Sequence, residues 1–510
     1  MKSCIIFVFS IITVVVFGQN TTTEFQKEFE SFNKTINTEF DDFRKKNNEV
    51  FAESLKQQWK EFDVEKAKEI PEKPKPTKQP EVPRDEPKNK IPEKVKDPVI
   101  VEPILKDDPI IEEEPRNEIP NEQIDPNLKN KDIEDNEEEN GNTIIEDENN
   151  KSNFSTIDIK LYEASISTLY DPSLLITCED ISEEGVSAYW KKMSEANYSI
   201  IITEIKKNSS TFNLNDWGIY MYVKNLSEKI HSTTNSQVAF QFFILNQLDL
   251  DVKVARVNAK LVLLINFNSM VYEISYMSID SKKYFMMTKD KNASIFTFNA
   301  KLSDANKPFD LNIKTPPKLS NSISNKDLYI KSIGKTIRIA YSQPVTTFYN
   351  EMPLADFPVF FNSGLSKETS LSLDRELRPY LQNKTEVEAV QFLLSMVQES
   401  FEYKTDDEQF GREKYFFTED ILYYPFSDCE DRSIFFSHLV RKLLGLEVVG
   451  LNYPNHVATA VKFNTNVTGD AVLIDNSKYI ICDPTYIGSD VGMAMPQFKN
   501  VSPSVIRVNK

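Results

Sequence analysis

Large apolar side chains recur early in the chain at Phe25, Phe29, Phe32, Ile36, Phe40, Phe43, Phe51, Leu55, Trp59 and Phe62, in steps of three and four with one position skipped at Asn47. Counting that gap, the repeat averages about 3.7 residues, which fits an amphipathic helix or helical hairpin within residues 20–70 and disfavours a regular left-handed zipper. Such a face packs either on its own protein or on a second copy, so self-association through residues 25–62 is one expectation. Ahead of it, Lys2, an apolar run from Ile5 to Phe17 and then Gly18 read as an export signal over residues 1–18, cleaved near Gly18. The run is too short to span a bilayer, which takes about 20 apolar residues. No later stretch supplies them, so the sequence predicts a soluble, extracytoplasmic chain, periplasmic or secreted, with no transmembrane segment.

The pattern then vanishes. Residues 71–152 hold 13 of the 26 prolines, many Glu and Lys, and no aromatic residue over 71–150; they cannot bury enough surface to offset the entropy of ordering, and read as a disordered, semi-extended acidic linker. From residue 153 onward aromatic and β-branched residues return. Period-3.6 stretches predict helices near 183–197, 216–231, 236–248, 385–402 and 429–444. Period-2 stretches predict strands near 252–257, 261–267, 271–280, 283–288, 447–452, 457–463, 471–475 and 478–482. The fold class is α+β, with modules over 153–300 and 371–510 joined by a connecting segment with strands over 301–370.

Residues 238–267 laid over 434–463 without a gap share their apolar pattern, with identities at Phe240/Phe436, Leu248/Leu444, Leu250/Leu446, Val252/Val448 and Phe267/Phe463. Each block precedes a Lys-Tyr strand. This reads as a duplicated helix-to-strand module, against two unrelated units that merely share the same periods.

The net charge of -18 and a pI near 4.9 argue against nucleic acid as a partner. Of four cysteines, Cys4 leaves with the signal; Cys178, Cys429 and Cys482 remain, an odd number that rules out a disulfide scaffold and leaves at least one free thiol. Cys429 stands at the start of a helix in "PFSDCEDRS". On that helix His438 falls on the opposite side from the thiol, and His231 belongs to the other module, which leaves His456 as its base. His456 begins a strand on whose face Ala458 and Ala460 leave room for a helix end, and Asp483, opposite Cys482 in the period-2 pattern, can orient the imidazole, although Asp483-Pro484 also reads as a plain strand-ending turn. The helix N-terminus and an imidazolium are expected to lower the thiol pKa, with Glu430 and Asp431 turned to solvent or capping free N–H groups, Asp428 capping the helix and Arg432 neutralising an acidic neighbour. Cys482 reads as a buried small hydrophobe.

The run Asp428-Cys429-Glu430-Asp431-Arg432-Ser433, His456 with its strand, and Asp483-Pro484-Thr485-Tyr486 resemble the transglutaminase-like branch of the papain-type cysteine enzymes, over roughly residues 380–495, in its exported bacterial form. The resemblance implies a helix carrying the cysteine packed on an antiparallel sheet, with Cys429 as nucleophile, His456 as general base and Asp483 as orienter. The family's oxyanion helper has no firm match; Tyr403 is the position proposed. The implied activity is hydrolysis or acyl transfer on amide bonds of a protein or peptide substrate, hydrolysis being favoured. No cofactor is implied, nor a metal, since no His-rich or paired-Cys ligand set is present. In the repeat, Thr233, Lys260 and Thr288 stand opposite Cys429, His456 and Asp483, so the first module carries no triad. Two other readings remain open: a non-catalytic peptide-binding scaffold, and a Cys429–Cys482 disulfide that makes the site structural.

Overall fold

A computed structural model describes residues 43–70, 75–83, 100–101, 154–288, 295–302, 305–319 and 322–509. The expected export signal, the Phe25–Phe40 part of the periodic run and most of the linker lie outside these residues.

The periodic run forms helix α1 over 43–55. Its Phe51, Ala52 and Leu55, with Trp59 just beyond, are buried; Phe51 meets Trp190, Phe242 and Phe298 edge-on or tilted at 4.7–6.3 Å. Asn48 accepts from Trp190 Nε1 at 3.1 Å and Gln247 Nε2 at 2.9 Å. This apolar face is therefore covered by the chain's own first module. Trp59 and Phe62 do not extend the helix as the period suggests. Strand β1 (Lys60–Phe62) pairs with a sheet edge instead, because that edge offers unpaired backbone groups that a further helical turn could not satisfy.

The short β2 (Ile100–Val101) belongs to the second module. The first continues with the hairpin β3 (Ser155–Leu161) and β4 (Ala164–Tyr170), then helices α2 (Glu183–Glu195), α3 (Ser199–Thr211), α4 (Asp216–Ile230) and α5 (Thr234–Gln247). Helix α5 is buried almost all round, as a helix with apolar residues on every face must be. It feeds β5 (Val252–Val257), β6 (Lys260–Asn266), β7 (Tyr276–Ile279), β8 (Lys282–Met286) and β9 (Ile295–Thr297), which form an antiparallel sheet in the order β1-β9-β5-β6-β8-β7.

The connecting segment holds more than strands. After the hairpin β10 (Ile323–Ile330) and β11 (Lys335–Ser342) come helices α6 (Gln343–Glu351), α7 (Phe357–Phe361) and α8 (Lys367–Leu381). Prolines near the starts of α6 and α7 mask them in the sequence, yet proline suits a first turn, where its missing N–H has no partner to lose.

The second module follows with α9 (Glu386–Ser400), opened by a Thr385/Glu388 capping box, then β12 (Glu402–Tyr403), α10 (Asp406–Phe410), α11 (Asp420–Tyr423) and β13 (Phe426–Ser427). Helix α12 (Cys429–Leu439) is buried at every residue and runs on as a π turn to Leu444, stopping at Gly445 in the left-handed region. Strands β14 (Glu447–Tyr453), β15 (His456–Lys462), β16 (Ala471–Ile474), β17 (Ser477–Cys482) and β18 (Ser504–Ile506) build the second sheet in the order β18-β14-β15-β17-β16-β2, antiparallel except where β2 joins β16. The five-strand orders β9-β5-β6-β8-β7 and β18-β14-β15-β17-β16 are the same, each sheet following a buried helix. The class is α+β with curled antiparallel sheets. Within the stretch read as a linker, residues 75–83 and 100–101 lie on the second module, where the composition gives no hint of contacts. No helix among the described residues is long and apolar enough to cross a membrane.

Candidate functional site

Cys429 is the first residue of α12, following Asp428 at the cap. The helix is fixed against the sheet by Ile434, which packs with Val457, by Phe435, Phe436, Leu439 and Val440, which pack with Val461 and Cys482, and by Ser433 Oγ, which donates to Val457 O at 2.9 Å. It therefore covers the Val457/Val461 face of β15. Ala458 and Ala460 face the other way, against Val449, Leu451 and Ile481, so they are not the gap through which a helix end approaches. The thiol and the imidazole share only a small cavity that both line, His456 being the first residue of the strand.

That end is set by a two-residue turn. Tyr453 pairs with His456 across Pro454 and Asn455, and Asn455 takes φ 64°, a left-handed position that Asn tolerates well. His456, 2% exposed, stacks on Phe498 at 5.2 Å with 7° between the rings. Its Nε2 is 2.8 Å from Asp483 Oδ2. The other carboxylate oxygen accepts from the backbone N–H of Thr485 at 2.9 Å and of Tyr486 at 3.2 Å, so the strand-ending turn and the orienting role are one arrangement. Cys482 packs away among the helix contacts, and Cys178, Cys429 and Cys482 are all free, so no disulfide closes the site. His438 is buried, and burial pushes it down to about 3.

Cys429 and His456 line one small cavity, together with Glu430, Lys75 and Tyr415. Across it the sulfur donates to Glu430 Oε2 at 3.0 Å, and no hydrogen bond joins it to the imidazole among the described residues. The acidic neighbours do not swing to solvent: Asp428, Glu430 and Asp431 are each at most 1% exposed, because the whole helix is enclosed. Arg432 makes no ion pair with them among the described residues, though Asp428 and Asp431 act on its charge; its Nη2 donates to Phe401 O at 2.6 Å and its Nε to Ser427 Oγ at 3.1 Å. Asp428 donates its backbone N–H to Asp431 Oδ2 at 3.2 Å.

The compensating charge comes from a residue the sequence did not single out. Lys75 Nζ lies 2.8 Å from Glu413 Oε2, 2.8 Å from Asp428 Oδ2, in contact with Glu430 Oε1, and 3.8 Å from Asp406 Oδ2. Oxygens of Asp406, Glu413 and Glu430 fall within 4.8 Å of one another, close enough to share a cation. Burial works against the Lys75 ammonium, but Glu430 and Asp428 outweigh it and hold its pKa well above the usual value. Burial and neighbouring carboxylates push Asp406 and Asp428 well up, and Asp431 to about 8; burial also presses on Glu430, but Lys75 keeps it below its usual value. The thiol takes the opposite course from the expectation. Burial, then Glu430 and Asp428, push Cys429 well above its ordinary value, with Lys75 a partial offset. The resting sulfur is a thiol. A helix N-terminus supplies only about half a positive charge, too little against adjacent buried carboxylates.

Tyr403, on β12, lies beside this group with its hydroxyl buried and unpartnered and its ring 5.6 Å from the Arg432 guanidinium. Burial first, then Cys429 and Asp428, push its pKa up, so its hydroxyl stays neutral. Nothing in the sequence marks Asp406, Glu413 or Tyr415, because each is placed by a loop or a short helix that carries no periodic signal.

The two sheets agree in register as well as order. Lys260 pairs with Val257 across its turn as His456 does with Tyr453. Met287 N donates to Leu263 O, in the place where Thr459 pairs with Cys482. Thr288 then follows as Asp483 does. Comparison with protein-family models, curated proteins and solved structures gives no match.

Proposed function

We propose that the chain is an exported, transglutaminase-like cysteine enzyme acting on amide bonds of a protein or peptide, found here with its thiol at rest. The observation that carries this reading is that His456, held 2.8 Å from the buried Asp483, lines the same cavity as Cys429 at a helix start. In the working cycle the Cys429 proton passes to His456, and the sulfur attacks the amide carbonyl. The tetrahedral intermediate collapses as His456 returns that proton to the departing amine, leaving a thioester on Cys429. Water then resolves the thioester with His456 again as base; an amine in its place gives acyl transfer. Asp483 holds the imidazole, and the Tyr403 hydroxyl is a donor for the developing oxyanion.

The matched order and register of the two sheets support the reading of residues 153–300 as a second copy of the module, in which Thr233, Lys260 and Thr288 replace the triad and catalysis is lost. A non-catalytic binding scaffold is the second reading, favoured by the buried, protonated Cys429. The two separate in a full-length chain with residues 75–83 replaced by a Gly/Ser segment, incubated with glutaminyl peptides and hydroxylamine. The enzyme reading requires hydroxamate that disappears in Cys429→Ser and falls about 10²–10⁴-fold in His456→Ala. No hydroxamate from a chain whose Cys429 alkylates like an ordinary thiol supports the scaffold.

A further inference from the structure

Residues 75–83, "KPTKQPEVP", run across the site with a bend at Thr77–Lys78 and a parallel bridge from Glu81 to Ile487. Lys75 closes the Cys429 cavity, and Lys75 with Pro76 flanks a larger cleft of about 460 Å³ on the His456 side, walled by Met495, Phe498 and Val501. Further along, Gln79 Nε2 donates to Thr485 O at 3.1 Å; Ile487 N donates to Pro80 O, and Val82 N to Ile487 O, both at 2.9 Å. The segment thus starts at the nucleophile, passes the base, and pairs its backbone with the loop that follows the orienting Asp483, in the manner of a peptide added alongside a strand.

The chamber that receives Lys75 is costly without a cation. The Asp406, Asp428 and Glu430 side chains are at most 3% exposed and Glu413 is 22% exposed. Carboxylates so enclosed persist when a positive charge and its donors satisfy them. An ammonium has three N–H donors, and three of these carboxylates lie within hydrogen-bond reach of Nζ. A second sign that the chamber is built to accept donors is Asp428 Oδ1, fully buried and without a partner among the described residues. Lys75 arrives from a segment more than 330 residues away in sequence, with most of its surroundings proline and charge, so the chamber is not assembled around a local ion pair.

We propose that the Asp406/Glu413/Asp428/Glu430 chamber is a subsite for a cationic side chain beside the reactive sulfur, and that residues 75–83 are a built-in pseudosubstrate whose Lys75 fills it and keeps the site closed. The substrate class is then an extended peptide carrying a lysine-like side chain at the position of Lys75. Calling the occupant a pseudosubstrate rests on the cysteine-enzyme reading; the subsite and the strap do not, and the experiment reads binding alone.

The test uses full-length Cys429→Ala protein in which residues 75–83 are replaced by Gly/Ser, with a dye-labelled, N-acetylated peptide of the sequence KPTKQPEVP followed by fluorescence anisotropy. The expected result is saturable binding that weakens about tenfold or more when the first lysine of the peptide is norleucine, and again in Glu430→Gln. Equal affinity for both peptides overturns the cationic subsite, and no binding of either overturns the strap. Calcium alone, if it binds and excludes the peptide, overturns the proposal in favour of a metal site. If the replaced chain does not fold, Val82→Pro, which removes the Val82 N–H bond to Ile487 O and keeps the Lys75 charge, tests the strap in the otherwise unaltered chain: Cys429 alkylation by methyl methanethiosulfonate should accelerate about tenfold or more, and an unchanged rate overturns the strap. Peptide binding in this test together with no hydroxamate from the Cys429-containing chain counts against the enzyme reading only.

Discussion

Replacing Glu430 with Gln removes the charge that most directly opposes a Cys429 thiolate while keeping an acceptor for the S–H. A thiolate and a carboxylate 3.0 Å apart repel by roughly 5 kcal/mol at an effective dielectric near 20, equivalent to about four pH units. That is a ceiling, because Lys75 lies against the same carboxylate and cancels part of its field. A downward shift of the thiol midpoint is expected even with that screening counted. The assay is a ¹³Cβ-cysteine NMR titration, with the Cys429 signal assigned by its absence in Cys429→Ser. Cys178, pushed up to about 11 by burial, and Cys482, pushed higher still, serve as internal standards that should not move. The native signal should stay at its thiol position through neutral pH. A Glu430→Gln midpoint within about half a unit of the native one would refute the electrostatic account of the resting thiol.

Three further outcomes follow from buried groups. Burial pushes Asp420 from 3.8 up to about 7, so the folded state holds its proton more tightly than the unfolded chain; its stabilising contribution is complete below about pH 4 and is lost as pH rises through 7, by as much as about 4 kcal/mol. Urea melts of Asp420→Asn should therefore lose this part of the pH dependence between those limits; curves parallel to the native ones count against it. Leu55→Ala, at a fully buried position of α1, should cost about 2–5 kcal/mol in the same melts, and a negligible loss would mean that the helix is not docked on the first module. Gly450→Ala should destabilise by about 1–3 kcal/mol, because its Cβ would come within 2.9 Å of Phe361 Cζ and Ile506 Cδ1; a neutral substitution would show that the packing there is loose.

Periodicity located the elements that carry the proposed triad because each is long and regular: α12, β15 and β17 lie where the 3.6 and 2.0 periods put them. The side on which Asp483 lies, opposite Cys482, was legible for the same reason. The face of β15 that α12 covers was not, since alternation separates two faces without saying which one receives a helix. Hairpin β3–β4 and helices α3, α6, α7 and α8 carry no such signal, those with proline near the start looking like breaks. The electrostatics failed for a different reason. Three carboxylates around a cysteine read as solvated when their helix is assumed to be half exposed, but α12 is buried all round, and the charge that makes this tolerable sits in the proline-rich stretch at Lys75. Nothing local to "KPKPTKQP" marks one lysine among several as the buried one; only the tertiary fold does.

The claim on which the rest depends is that Cys429 and His456 work as a pair once the strap is gone and Glu430 no longer holds the thiol proton. Iodoacetamide alkylation of Cys429, followed from acid to alkaline pH in a full-length Glu430→Gln chain with residues 75–83 replaced by Gly/Ser, tests it with and without His456→Ala. The account predicts reaction extending well below the ordinary thiol midpoint of about 8.5 when His456 is present, and an ordinary thiol profile when it is not. Superimposable profiles for the two chains would contradict it.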